Sequence, residues 1–183
     1  MVRFLLNWVL SGFFLVLLTL GMVAPAQATP FSPIPTIAAS SGGGSLFSFS
    51  GTRPDNLGVK EGQLAPCPQS PNCVSSQAAD TDTEHKIDPL TYGTDPATAI
   101  ANLKSIIENQ ARTKIITETD TYLYAEFTSA LMGYVDDVEF YLDADAGIIH
   151  VRSASRLGQS DLGVNRKRVE AIRLRFTELQ SAG

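Results

Sequence analysis

An apolar run of bilayer-spanning length opens this chain and separates it into parts that cannot share one core. From Phe4 to Val23 only Asn7, Ser11, Gly12, Thr19 and Gly21 interrupt the run, and Arg3 is the sole charge before Arg53. About 20 apolar residues suffice to cross a bilayer, so such a segment enters a translocon or a membrane. It ends in Ala24-Pro25-Ala26-Gln27-Ala28, where the small side chains of Ala26 and Ala28 suit the narrow subsites of a signal peptidase. We expect residues 1–28 to be a signal peptide cleaved before Thr29, with an uncleaved membrane anchor over residues 4–23 as the alternative. Either outcome makes the protein an exported one.

Residues 29–62 carry Pro30, Pro33, Pro35 and a Ser-Ser-Gly-Gly-Gly-Ser tract. That composition buries too little apolar surface to offset its ordering entropy, so it reads as a flexible tether in which Phe47 and Phe49 are candidate docking points. The folded domain is expected over residues 63–180. Its first segment holds three prolines and the only two cysteines, Cys67 and Cys73. In an exported chain a disulfide closing this short loop is favoured over a metal site, which wants four ligands and would have only His85 and His150 to add, or over a free thiol.

Asp95-Pro96 signals a helix start, because an Asp side chain caps free amides and proline suits the first helical position. Ile100, Leu103, Ile106 and Ile107 form its apolar stripe, ending near Asn109 or Gln110. Lys114 to Ser129 favours strands and divides at a turn around Thr119-Asp120-Thr121, after which Leu123, Ala125 and Phe127 alternate with Tyr122, Tyr124 and Glu126. Tyr134 to Leu142 is a third strand, with Asp136 and Asp137 on opposite faces. Asp143 to Gly147 is a turn, preferred over a calcium loop because the ligand spacing and closing Glu are missing, and Ile148 to Ala154 is the returning strand. A second helix is expected from Asn165 as cap, with Val169, Ile172, Phe176 and Leu179 on its buried face. The fold class is α+β: a two-layer domain with an antiparallel sheet of about four strands and two covering helices.

Three blocks carry a family resemblance: Leu64-x-Pro-Cys-Pro-x-Ser-Pro-Asn-Cys-Val-Ser-Ser76, then Tyr134-Val-Asp-Asp-Val-Glu-Phe140, then Arg152-Ser-Ala-Ser-Arg-x-Gly-x-Ser-Asp-x-Gly-x-Asn-Arg-x-Arg-Val-Glu170. Together they resemble the domain of unknown function 1499 family over roughly residues 63–179. That family occurs in bacteria and photosynthetic lineages, including plastid forms, and has no established activity. The resemblance implies a periplasmic or thylakoid-lumen protein.

The chain carries a net charge of −5, which argues against nucleic acid as a partner. From Val151 onward, however, seven basic residues face three acidic ones. Arg152, Arg156, Arg166, Lys167 and Arg168 flank a helix start that is already electropositive, so something negative is expected beside them. It is either an external anion or protein partner, or the internal carboxylates Asp136, Asp137 and Glu139, with Asp161 close by. No nucleophile elbow, Walker, Rossmann or haem signature accompanies these groups. We therefore expect a non-catalytic binding or accessory domain without cofactor or metal, touching membrane only through its N-terminal segment if that is uncleaved. The alternatives are a hydrolase using Asp136 or Asp137 with an arginine, and a structural role in which the charges pair internally.

Overall fold

The computed structural model of the chain describes residues 48–181; the signal or anchor segment, Phe47 and the first half of the tether lie outside them. The elements are β1 (Cys73–Ser75), β2 (Leu90–Thr91), α1 (Pro96–Glu108), β3 (Thr113–Glu118), β4 (Tyr122–Thr128), β5 (Val135–Asp143), β6 (Ile148–Ser155) and α2 (Val164–Ser181). The sheet is α+β and antiparallel as expected, but has six strands rather than four, in the order β1-β6-β5-β4-β3, with β2 also pairing to β6. The additional pair, β1 and β2, are three and two residues long, too short to show period-2 alternation, and exist because β6 offers them an edge.

Strand alternation decides the two faces. Leu123, Ala125 and Phe127 of β4, Val138, Phe140 and Leu142 of β5, and Ile149 and Val151 of β6 are buried on the side covered by the helices. There they meet Ala99, Ile100, Leu103, Ile106 and Ile107 of α1 and Val169, Ile172 and Phe176 of α2. Burying side chains such as Phe140 and Phe176 contributes about 1.5–3 kcal/mol each. Leu179, expected on this face, is instead exposed. Asp95 caps α1 as expected, its carboxylate accepting from the Thr98 amide. Asn165 does not cap α2. The cap is Asp161, whose carboxylate accepts from the Gly163 and Asn165 amides, while the Asn165 side chain turns inward to link strands.

The tether reading also needs correction in its second half. Phe49 donates its N–H to the Met132 carbonyl at 3.2 Å and places its ring 5.9 Å from Tyr134, Arg53 reaches Glu126, and the Gly58 amide reaches Glu139. Residues 48–62 thus run as a strap over the second face of the sheet. Composition marked Phe49 as a docking point but could not show the rest, because those contacts are polar and made to the distant strands β4 and β5.

Cys67 and Cys73 form the expected disulfide, with Cα atoms 5.6 Å apart. The loop it closes is clamped by a group the sequence did not single out for this role. His85 is buried with acceptors at both ring nitrogens: Nδ1 lies 2.9 and 2.8 Å from the Asp82 carboxylate oxygens, and Nε2 lies 3.2 Å from the Ser70 carbonyl. Burial opposes charge on the ring, but the Asp82 carboxylate and the Ser70 carbonyl outweigh it and raise His85 above its ordinary 6.5. The hydrogen bond from His85 holds Asp82 below 3.8.

Because the folded value of His85 is raised, the stability it contributes is fully present below about pH 6.5 and is lost as pH rises through the higher folded value. At the acid end the contribution fades as pH falls below about 4 through the depressed value of Asp82. Urea unfolding of the wild-type chain and of Asp82→Asn should therefore differ most between those limits and converge at alkaline pH. A difference independent of pH would contradict the clamp. Reducing the disulfide should lower stability by about 2 kcal/mol, the chain-entropy value for so short a loop, read from the shift of the same urea transition under reductant.

Candidate functional site

On β5, Asp137 and Glu139 point to the strap side and Asp136 to the helix side, as their alternation requires. Register sets Glu126 of β4 directly opposite Asp137, an arrangement that repels unless cations intervene. Arg156 supplies the first. Its Nε lies 2.9 Å from Asp137 Oδ2, and its Nη2 lies 2.7 Å from Asp137 Oδ1 and 2.5 Å from Glu126 Oε1. Arg53 from the strap supplies the second, with Nε and Nη2 at 2.9 and 2.5 Å from Glu126 Oε1 and its guanidinium 5.7 Å from the centre of the Tyr124 ring. The Tyr124 hydroxyl donates to Asp137 at 2.5 Å.

Burial alone would raise the Glu126 carboxyl, but the Arg156 and Arg53 guanidiniums prevail and hold it below the ordinary range. Hydrogen bonding to Asp137, opposed by burial, pushes Arg156 further up, and burial together with Asp137 pushes the Tyr124 hydroxyl up. Each of these groups is therefore locked in its ordinary charge state. Next along the sheet, Glu139 has no side-chain exposure and accepts from the Gly58 amide at 2.7 Å, the Tyr122 hydroxyl at 2.8 Å and Arg152 Nη1 at 3.3 Å. Arg152 is the looser partner, since its buried Nε makes no hydrogen bond within the protein.

The helix side carries a second cluster. Arg168 reaches from α2 to Asp136 at 2.5 Å and to Asn165 at 2.5 Å, and stands 4.8 Å over the Phe127 ring. Asn165, fully buried, accepts from Ser153 and donates to the Asn72 carbonyl and to Ser155, so one amide joins β1, β6 and α2. Arg166 donates to the Lys86 and Glu84 carbonyls. Lys167 projects exposed from the first turn, and among the described residues no acidic group pairs with it.

The five basic residues expected to act together are thus divided by the sheet. Arg152 and Arg156 lie under the strap, Arg166 and Arg168 lie on the helix side, and three of the five are in ion pairs with Asp136, Asp137 and Glu139. Sequence reading missed Arg53, Tyr122 and Tyr124 as members. Their alternation with apolar residues was visible, but nothing local indicated that the exposed-looking face would be covered. It also missed the contact between Ser76 and His150, 3.1 Å apart; the serine hydroxyl is buried and already accepts the Val151 amide. A cleft of about 740 Å³ between α1 and the β3–β4 and β5–β6 turns is floored by Ile100 and Leu142, and none of the expected site residues lines it. Among the described residues no three His, Cys, Asp or Glu side chains converge as a metal site would require.

Removing one member of a buried pair leaves the other uncompensated, at a cost of about 3–5 kcal/mol. Asp137→Asn should show such a loss in urea unfolding, whereas Asp137→Leu combined with Arg156→Met should recover much of it. Equal losses would mean that the network does not act as a unit.

Comparison with known proteins returns no matching curated protein and no matching solved structure. The family model described as "Protein of unknown function (DUF1499)" matches residues 63–176. The match takes in the disulfide loop, every strand, α1 and α2 as far as Phe176, and begins just after the strap that supplies Arg53 and Gly58. With more than half its length matched, and with the disulfide loop, β5 and the β6–α2 junction built from the blocks described above, the chain belongs to the DUF1499 family of proteins of unknown function.

Proposed function

We propose that this is an exported, non-catalytic interaction domain, and that the cations it offers to a partner are those its own carboxylates leave unpaired. One observation carries the reading. Arg152, Arg156 and Arg168 are neutralised inside the protein, whereas Lys167 and Arg112 stand exposed at the end of the sheet where β4, β6 and α2 present their loops. Arg112 uses its Nε only on the Thr128 carbonyl, at 3.3 Å. A hydrolase would need Asp136 or Asp137 free to meet substrate, and each already accepts from an arginine. A purely structural role accounts for the buried pairs and leaves the exposed cations without a purpose. The periplasm and the thylakoid lumen both remain consistent with this reading.

A photo-crosslinking residue placed at Leu157, at the cationic end, should form adducts in the exported compartment of the host. One at Asp120, in the β3–β4 turn at the other end, should not. Replacing Arg112 and Lys167 with Glu should reduce the Leu157 adducts several-fold without altering thermal unfolding. Equal adducts at both positions, or indifference to the charge reversal, would sink the reading.

A further inference from the structure

Among the described residues, six large apolar side chains stand exposed at the same end of the sheet: Phe49, Leu131, Tyr134, Leu157, Leu162 and Val164. Three separate segments bring them there. The strap delivers Phe49, bonded to Met132 and ring to ring with Tyr134, and then passes Leu157 so closely that a Cβ on Gly51 would lie 3.0 Å from the Leu157 Cγ. The β4–β5 turn carries Leu131 and Tyr134, and the turn into α2 carries Leu162 and Val164. Leu162 is 85 % exposed and has φ of 55°, a left-handed conformation that a leucine rarely adopts. Ser160 and Asp161 hold it there by accepting the adjacent Leu162 and Gly163 amides. Arg112 at the same end is also left-handed, with φ of 57°. The turn at Leu162 sets the Asp161 cap of α2, and it also holds the Leu162 side chain out in water, where only a covering partner would remove it from solvent.

We propose that this end of the domain docks on the surface of a bilayer containing anionic lipid, with the three apolar tips entering between headgroups and Arg112 and Lys167 meeting their phosphates. The inference rests on the interaction-domain reading above and names its partner. Two observations favour a membrane over a protein. The tips come from three separate loops rather than from one flat face, which suits shallow insertion. The described residues also begin at this end, beside Met132, so the apolar run over residues 4–23, where it is retained as an anchor rather than cleaved, joins the domain here through 24 residues that span at most about 80 Å. The charge agrees: Asp136 is paired with Arg168, and beside the tips two cations, Arg112 and Lys167, stand against Asp161, whose carboxylate has no ion-pair partner among the described residues and faces the α2 amides.

The test places the full chain in vesicles of phosphatidylcholine and phosphatidylglycerol that carry a photoactivatable diazirine in a lipid acyl chain, followed by peptide mapping. Labelling is expected in residues 129–134 and 156–164 as well as in the apolar run. Leu157→Ser with Leu162→Asn, both exposed and the second tolerant of positive φ, should cut labelling of the loops about tenfold, the factor corresponding to about 1.4 kcal/mol of lost apolar transfer. Unchanged thermal unfolding would show the fold intact. Labelling confined to residues 1–28, or insensitive to the two substitutions, overturns membrane docking. If the crosslinker at Leu157 then captures a protein, the interaction reading survives alone; if it captures neither protein nor lipid, both fail.

Discussion

Charge neutralisation on the strap side of β4, β5 and β6 is the constraint on which the rest of the structure depends. Glu126 stands directly opposite Asp137 on the adjacent strand, Glu139 follows on the same face of β5, and Asp137 and Glu139 are essentially excluded from water. Buried carboxylates so close together are tolerated only if cations and donors reach them. The sheet therefore requires Arg156 and Arg152 from the end of β6, two tyrosine hydroxyls from β4, and a guanidinium and an amide from a segment with no regular structure of its own. The strap is held because it completes this set, and its position in turn brings Phe49 against the β4–β5 turn.

The two faces of the sheet solve the burial problem by different means. The helix side is an ordinary apolar core, with one polar inclusion where Asn165 joins β1, β6 and α2. The strap side is a polar layer whose members bond one another as a network, with the Arg152 Nε left over. Such a layer contributes little net stability compared with an apolar one, but it penalises any register in which the pairs do not meet. The sequence blocks that carry the family resemblance serve these two arrangements. Asn72, Ser153, Ser155, Arg156, Asp161 and Asn165 all bond to other elements of the fold, so the most distinctive residues of the chain are those that assemble it.

Among the side chains left exposed are three loop tips bearing apolar residues, with Arg112 and Lys167 beside them. The left-handed backbone at Leu162 sets the Asp161 cap of α2 and at the same time turns the leucine side chain outward.

Local chemistry by itself determined the helix start at Asp95-Pro96, the apolar stripe of α1, the alternation in β4 and β5 that sends Asp136 and Asp137 to opposite faces, the hairpin turn at Asp143 to Gly147, and the disulfide. Each depends on periodicities or on neighbours a few residues apart. The same reasoning assigned α2 its cap at Asn165 and counted four strands, because a capping residue and a two-residue strand both borrow their identity from distant partners. Only the tertiary structure decided that Arg152, Arg156 and Arg168 would meet the protein's own carboxylates, since those contacts join residues up to 32 positions apart across strands whose register no local pattern specifies. It also decided that Arg53 would cross to Glu126, 73 residues away, because a charge in a Pro/Gly/Ser-rich segment carries no local sign of the buried carboxylate it must neutralise.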